Sequence, residues 1–269
     1  MLVTFLVLFR EGLEAFLLVG ILLTYLTRLG ARGYAKWIYV GVGAGILASL
    51  VAAFVFQVVI DQFHNDEYRA YLTAGIMIVA TAVLTYMAVW MQKQARAHTD
   101  EAKRQLEHYV AGNQVVGIAV LAFVSVWREG IETVLFLSAL SYGGQSPSLL
   151  GGLVGLAAAI AVVFVLMKGA RRVPLAAFFR WTSLLLIVIA AGLLGSAIAV
   201  LQGAGMLPGP TAPLFDLSGV LSDNGGVGSF LRGLFGYNAT PTPPQFALWA
   251  LYLVVALAFW RRGYAPKPA

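Results

Sequence analysis

Two stretches of this chain match each other: LVLFREGLEAFLLVG at residues 6–20 and VSVWREGIETVLFLS at residues 124–138. They align without gaps and share Arg, Glu, Gly, Glu and one Leu. Each stretch places three charged side chains inside an apolar run near the length of about twenty residues that crosses a bilayer. Because a charged side chain at the bilayer centre costs at least about 2.5–3.5 kcal/mol on insertion scales, these groups should face one another or water rather than lipid.

The composition of the whole chain is typical of a membrane protein. Hydrophobic residues make up 60% of its 269 residues and charged residues only 11%, whereas an ordinary soluble domain has about 25% charged residues. Seven apolar runs are long enough to cross a bilayer, at residues 3–28, 37–60, 69–92, 114–140, 149–168, 175–202 and 245–261. We therefore expect an all-α polytopic membrane protein with seven transmembrane helices. The first run lacks a basic leader and contains charged residues, so we expect it to be a helix of the mature protein rather than a signal peptide.

The basic residues predict the orientation of these helices. The net charge is +6, and most of the 18 Lys and Arg residues follow the first, third, fifth and seventh runs, which places them on one side of the membrane. By the positive-inside rule that side is cytoplasmic, so the N-terminus lies outside and the C-terminus lies in the cytoplasm. This distribution favours membrane lipid over nucleic acid as the partner of the basic residues. The chain has no cysteine, which excludes disulfides, iron–sulfur clusters and thiolate metal sites.

The internal match extends beyond the charged motif. The second run aligns with the fifth, with Gly41 and Gly45 on Gly151 and Gly155, and the third run aligns with the sixth. A unit of three spans is odd in number, so its second copy must enter the membrane from the opposite side, as in inverted-repeat transporters. We expect five segments: the first repeat at 1–92, a cytoplasmic linker helix at 93–112, the inverted second repeat at 113–202, an outer loop with a short amphipathic segment at 203–244, and the seventh helix with a cytoplasmic tail at 245–269.

The spacing within the motif predicts a site for a hard cation. On a helix, glutamates three residues apart share one face, and an arginine pairs with the glutamate four residues later. The glutamates of both motifs lie roughly 12–17 Å from the outer end of their runs at a 1.5 Å rise per residue, near the middle of a hydrocarbon core about 30 Å thick. Oxygen ligands suit iron, manganese, magnesium or calcium rather than soft copper(I).

If the two helices pack face to face, the motif residues converge with a formal charge of −2. The predicted metal ligands are Glu11, Glu14, Glu129 and Glu132, and the residues that organise them are Arg10 and Arg128. The alternative is that these groups are only buried ion pairs that hold a bundle together. The presence of two copies at matching depth, each with an additional glutamate, favours the cation site.

The paired Arg-Glu-Gly-Leu-Glu and Arg-Glu-Gly-Ile-Glu motifs resemble those of the oxidase-dependent high-affinity iron permease family. The resemblance extends to AAFFRWTSLLLIVIAAGL at 176–193 and FDLSGVLSDNGGVGSFLRGLFGY at 215–237. It implies an importer that moves Fe²⁺ or Fe³⁺ across a bacterial cytoplasmic membrane, with iron as the substrate and no permanent cofactor. It also implies a periplasmic iron-binding protein and a haem peroxidase as partners. Oxygen ligands accept both oxidation states, so the residues leave that choice open.

Acidic residues of the two outer loops form a second hypothesis, an entrance that concentrates cations. Its candidates are Asp61, His64, Asp66 and Glu67 in the short loop, and Asp216 and Asp223 in the long one. The alternative is an ordinary solvated loop in the first case and the cap of a short helix in the second.

Three functions compete with iron import at this point. They are transport of another hard divalent metal such as Mn²⁺, a membrane-embedded metalloenzyme with a carboxylate-bridged metal pair, and a structural or receptor subunit. Di-iron helical bundles use Glu-x-x-His motifs, and none of the three histidines lies in an apolar run. The sequence therefore favours a transporter over an enzyme.

Overall fold

The computed structural model describes residues 1–61, 66–142, 146–168, 175–223 and 225–264. Side chains are described within these ranges except at residues 60, 61, 66, 67, 90–99, 142, 175–179, 230, 233, 234, 263 and 264. Every regular element in the described ranges is helical. The α-helices are α1 (Leu2–Arg28), α2 (Ala35–Asp61), α3 (Asp66–Ala111), α4 (Val115–Tyr142), α5 (Leu149–Met167), α6 (Leu175–Gly203), α7 (Gly226–Phe235) and α8 (Pro243–Tyr264), with a short 3₁₀ helix at Arg32–Tyr34.

Several of these helices are suited to cross a membrane. Within the described residues, five segments are long and apolar enough: Arg32–Val59, Tyr68–Val89, Leu149–Met167, Arg180–Gly203 and Pro243–Arg262. On α2, the side chains of Leu47, Leu50 and Phe54 are 63%, 62% and 69% exposed, an apolar surface of a kind that marks contact with lipid or another partner. The chain is thus an all-helical polytopic membrane protein, which confirms that part of the prediction. The helices α1 and α4 have 27 and 28 residues, but each contains the three charged residues of a motif.

The longest helix is α3, with 46 residues. It is about 69 Å long at a 1.5 Å rise per residue, more than twice the thickness of a hydrocarbon core of about 30 Å. The segment 93–112, expected as a linker helix, is the C-terminal part of α3, since the helix continues without a break to Ala111. Asn113 follows with a φ of 53°, a left-handed conformation that Asn adopts more readily than most residues.

The chain divides into two compact units. The first comprises Met1–Val59, Gln94–Phe136 and Pro147–Val173, and so contains α1, α2, α5, most of α4 and the C-terminal part of α3. The second comprises Ile60–Lys93, Leu137–Ser146 and Pro174–Ala269, and contains the N-terminal part of α3 with α6, α7 and α8.

In the first unit, glycines allow two pairs of helices to approach at backbone distance. A Cβ atom at Gly151 of α5 would lie 2.5 Å from the carbonyl oxygen of Met1, and one at Gly155 would lie 2.6 Å from that of Phe5. The contacts advance in the same direction along both helices, from Gly151 with Met1 to Gly155 with Phe5. The helices α1 and α5 are therefore parallel. No side chain larger than hydrogen fits at these positions without separating the helices, as in other small-residue contacts between membrane helices.

The helices α2 and α4 pack in the same way. A Cβ at Gly41 would collide with the carbonyl oxygen of Ala119, and one at Gly45 would lie 3.0 Å from that of Phe123. The sequence alignment equates Gly41 with Gly151 and Gly45 with Gly155. The residues that these glycines contact are equivalent as well. Ala119 lies as many residues after Met1, and Phe123 after Phe5, as the second charged motif lies after the first. The internal match in sequence is therefore accompanied by a match in helix packing.

Polar contacts join the helices of the second unit. The hydroxyl of Thr81 donates to the carbonyl of Ala190 at 3.2 Å, and the hydroxyls of Thr85 and Tyr252 lie 2.6 Å apart. Hydrogen bonds of this kind stabilise helix contacts where there is no hydrophobic force between helices in lipid. The helix α7 has only 10 residues, too short to cross a bilayer, and corresponds to the short amphipathic segment expected in the outer loop.

The glycine contacts generate a test with a control on the same helix. We expect Gly45→Leu to destabilise the protein by about 1–3 kcal/mol or more, because overpacking forces the backbones of α2 and α4 apart. Gly43→Leu is the control, since a Cβ at Gly43 meets no atom of another described helix within 4 Å. The measurement is thermal unfolding in detergent, and equal melting temperatures for the two variants would show that the contact at Gly45 does not matter.

Candidate metal-binding site

The two charged motifs meet because α1 and α4 are antiparallel. Leu22 and Leu26, which follow the motif in α1, share a core with Ile118 and Ala122, which precede the motif in α4. With this arrangement the middle of α1 lies beside the middle of α4. The motif of one helix therefore faces the motif of the other, as the sequence predicts.

Three carboxylates come together at this crossing. One carboxylate oxygen from each of Glu11, Glu14 and Glu129 lies within 4.8 Å of the other two. Oxygens on opposite sides of one Mg²⁺ or Ca²⁺ ion are about 4.0–5.2 Å apart, twice the metal–oxygen distance. The three oxygens are thus already spaced to share a single hard cation.

Each arginine holds carboxylates of its own motif. Arg10 Nη1 lies 2.5 Å from Glu11 Oε1, and Arg10 Nη2 lies 2.9 Å from Glu14 Oε1. Arg128 Nη2 lies 2.7 Å from Glu129 Oε1, while its Nε lies 3.7 Å from Glu132 Oε1. The pairs four residues apart match the spacing rule. The pairs between adjacent residues, Arg10 with Glu11 and Arg128 with Glu129, were not predicted from the sequence, because residues i and i+1 do not face each other on a helix. The Arg side chain is long enough for its guanidinium to reach the neighbouring carboxylate.

The second oxygen of three carboxylates is left without a hydrogen bond. Glu11 Oε2, Glu129 Oε2 and Glu132 Oε2 are buried and have no hydrogen-bond partner among the described residues. A buried acceptor without a partner costs about 1–3 kcal/mol, and more when it is charged. A bound cation would provide the missing partner, so these atoms fit the chemistry of a metal ligand.

The two copies of the motif differ in exposure. The side chain of Arg10 is 4% exposed, whereas that of Arg128 is 46% exposed. Glu132 is likewise more exposed than Glu14 and lies outside the group of three close oxygens. The same charged residues therefore form an enclosed half of the carboxylate site on α1 and a more exposed half on α4.

The glycine inside each motif has a structural role that sequence reasoning missed. A Cβ at Gly12 would lie 2.9 Å from Leu156 Cδ2 of α5, and one at Gly130 would collide with Ser49 of α2. Gly12 is about 100° around the helix from Glu11 at 3.6 residues per turn. The glycine thus lets the supporting helix approach from the side while the carboxylates point to the opposite motif.

Two of the six residues predicted to form an outer entrance for cations make contacts within their own loop. The carboxylate of Asp216 accepts hydrogen bonds from the backbone N–H and the hydroxyl of Ser218, at 2.8 and 2.5 Å, and these bonds hold the pKa of Asp216 below its usual range. Asp223 Oδ1 accepts from the backbone N–H of Ala239 at 2.9 Å. Both acids therefore organise the long loop, and their role in an entrance stays a prediction.

The remaining outer candidates lie in the short loop. His64 falls outside the described residues, as do the side chains of Asp61, Asp66 and Glu67. The hypothesis of a cation-concentrating loop at these four residues stays a prediction as well.

Fold and site together define a multi-pass membrane protein with a buried carboxylate cluster suited to a cation. The chain belongs to the iron permease FTR1 family, which it matches over residues 1–264. It is 35% identical over 267 residues to the ferrous iron permease EfeU of Escherichia coli O6:H1 strain CFT073, covering 96% of this chain and 94% of that protein. The ferrous iron permease EfeU of Yersinia pestis is 34% identical over 263 residues, covering 96% and 92%. No solved structure matches the chain.

The family match confirms the resemblance found in the motifs. It also confirms the prediction of a transporter rather than an enzyme, because the family and these relatives are permeases.

The unequal burial of the arginines predicts unequal effects of removing them. We expect Arg10→Gln to destabilise the protein by about 3–5 kcal/mol, the cost of leaving buried charges without their partner. Arg128→Gln should cost clearly less, because Arg128 is half-exposed and makes one longer contact. Chemical or thermal unfolding of the two variants in the same detergent tests this. Equal destabilisation would contradict the asymmetry of the two motifs.

Proposed function

We propose that this chain imports Fe²⁺ across a bacterial cytoplasmic membrane, with Glu11, Glu14, Glu129 and Glu132 as the translocation ligands. The observation that carries the proposal is the group of three carboxylate oxygens within 4.8 Å of one another inside a member of the iron permease family. Arg10 and Arg128 act as organising residues. Each holds one oxygen of its neighbouring glutamate and leaves the other oxygen to the metal.

Charge balance favours the ferrous ion. Four glutamates and two arginines carry a formal charge of −2, which a divalent cation neutralises and a trivalent one exceeds. A neutral site avoids an uncompensated charge in the middle of the bilayer, where such a charge is costly. The relatives are named ferrous iron permeases, which agrees with this assignment.

We further propose seven transmembrane helices, six of them in two inverted repeats at 1–92 and 113–202, followed by the seventh helix with a cytoplasmic tail at 245–269. The antiparallel arrangement of α1 and α4 and the equivalent glycine contacts of α2 and α5 support this architecture. Arg10 and Arg128 each pair with a glutamate of their own helix, and carboxylate oxygens of Glu11 and Glu14 lie within 4.8 Å of one from Glu129 across the two helices. The motifs can therefore compensate much of their charge inside the bundle. The distribution of Lys and Arg places the N-terminus outside and the C-terminus in the cytoplasm.

In this architecture the iron site lies where the repeats meet, near the bilayer midplane. Inverted-repeat transporters place substrate sites at that position and expose them alternately to the two sides. Iron is the cargo, and the proposal needs no permanent cofactor. A periplasmic iron-binding protein and a haem peroxidase are the proposed partners at the outer face.

Uptake of radioactive Fe²⁺ into proteoliposomes tests the ligand assignment. We expect Glu14→Gln and Glu129→Gln to lower uptake by at least about 10–100-fold, because the loss even of a residue that only orients a metal ligand typically has an effect of that size. The matched control is Glu101→Gln, whose carboxylate is exposed on α3 and pairs with Arg104. Full uptake by both motif variants would sink the proposal.

The same vesicles separate iron from other hard metals. If Fe²⁺ is the substrate, a moderate excess of Mn²⁺ should leave Fe²⁺ uptake largely unchanged. Equal competition by Mn²⁺ would instead identify a general transporter of divalent metals.

A further inference from the structure

An apolar cluster lies on one side of the carboxylate site in the first unit. Its buried members are Leu22, Leu26, Ile38, Ala102, Leu106, Ile118 and Ala122. They come from the end of α1, the start of α2, the start of α4 and the C-terminal part of α3. We call residues 100–111 of α3 the α3 extension.

The position of the cluster follows from helix geometry. Leu22 and Leu26 lie about 12 and 18 Å beyond Glu14 along α1 at 1.5 Å per residue. Ala122 and Ile118 lie about 10 and 17 Å before Glu129 along α4 by the same rise. The cluster thus occupies the end of α1 and α4 that the proposed orientation places toward the cytoplasm.

The α3 extension is docked against this end by one face only. Leu106 is fully buried in the cluster, and the hydroxyl of Tyr25 donates to Glu107 Oε2 at 3.4 Å. The ring of Tyr109 also packs closely against the α4 backbone, because a Cβ at Gly117 would lie 2.6 Å from Tyr109 Cδ1.

The opposite face of the extension is solvated. Asp100 and Lys103 form an exposed ion pair at 3.2 Å, and Gln105 Nε2 donates to Glu101 Oε1 at 3.0 Å. Withdrawal of the extension would remove Ala102, Leu106, Tyr109 and Val110 from the cluster. It would thereby open the apolar contact between the ends of α1 and α4.

The two ends of the α1 helix differ in chemistry. Near its start, the hydroxyl of Thr4 accepts from the backbone N–H of Ser148 at 3.1 Å, and Ser148 caps α5. Near its end, Leu22 and Leu26 are buried among the apolar side chains of the cluster. A hydrophobic constriction blocks ions because water and hydrated cations do not enter it.

We propose that the α3 extension is the inner gate of the permease, with Leu106 as its plug. The proposal rests on the proposed function and orientation. While the extension is docked, the apolar cluster separates the carboxylate site from the cytoplasm. Iron leaves the site toward the cytoplasm when the extension moves away from α1 and α4.

Cross-linking tests the gate directly, since the chain has no cysteine. The variant Tyr25→Cys with Glu107→Cys places thiols on α1 and the extension at residues already in contact, and a short bis-maleimide joins them. We expect the cross-linked protein to bind Fe²⁺ normally but to lose uptake by at least about tenfold, because a tethered gate cannot open.

The matched control is Glu101→Cys with Gln105→Cys, which takes the same cross-link within the exposed face of the extension. This control should keep its uptake after cross-linking. Unchanged uptake by the Tyr25–Glu107 cross-linked protein would overturn the gate. Absent uptake by the cysteine-free parent would instead contradict the proposed function.

A second measurement does not depend on cross-linking. In Leu106→Cys, a membrane-impermeant thiol reagent applied from the cytoplasmic side should react several times faster when Fe²⁺ is present than when it is absent, because opening exposes the plug. A reaction rate that does not change with Fe²⁺ would show that the extension is a static part of the bundle.

Discussion

The fold of the first unit depends on bringing six ionisable side chains together within apolar helices, with the four glutamates and Arg10 largely buried. Their charges can be compensated only by one another or by a bound cation, which forces the middle of α1 against the middle of α4. Arg10, with Glu11 and Glu14, is enclosed on one side of this contact, and Arg128 holds Glu129 on the other. The antiparallel arrangement of the two helices is the only one that also brings Leu22 and Leu26 beside Ile118 and Ala122. Electrostatic and apolar contacts therefore specify the same helix pairing.

The carboxylates can point at one another only because the supporting helices approach very closely from the side. Gly12 and Gly130 make room for α5 and α2 within the motifs themselves. The glycines of α2 and α5 extend the same close contact along the helix pairs. A side chain at Gly130, or at the glycines that meet backbone oxygens, would force the helices apart, and a metal site tolerates only about 0.5 Å of displacement. Small residues thus fix the geometry of a site they never touch.

Much of this was predictable from sequence because apolar length and midplane charge are strong local signals. The expected runs at 3–28 and 114–140 match α1 and α4 closely, and the pairing of Arg10 with Glu14 follows from helical spacing alone. The burial of Leu106 was not predictable. Residues 93–112 are polar enough to predict a solvated helix, and nothing in their pattern specifies the bundle that covers one face. The helices α2 and α5 are apolar all round and have no periodic signal, but their Gly-x-x-x-Gly pairs, Gly41 with Gly45 and Gly151 with Gly155, predict close helix packing. The structure confirms that prediction, since all four glycines lie at backbone contacts.

Duplication of a motif does not make two identical half-sites. Ser49 packs against Gly130, whereas its aligned counterpart Ala159 packs against Gly12, so the two motifs have different surroundings. Arg10 bridges both of its glutamates at short distance while Arg128 holds one closely and the other at 3.7 Å. A site that bound its cargo equally tightly from both halves would release it slowly, and conduction requires binding that is favourable enough to admit an ion yet weak enough to let it leave. The proposed transport therefore depends on the difference between the two copies as well as on their similarity. The enclosed motif on α1 holds its carboxylates in place, and the more exposed motif on α4 can move to release the ion.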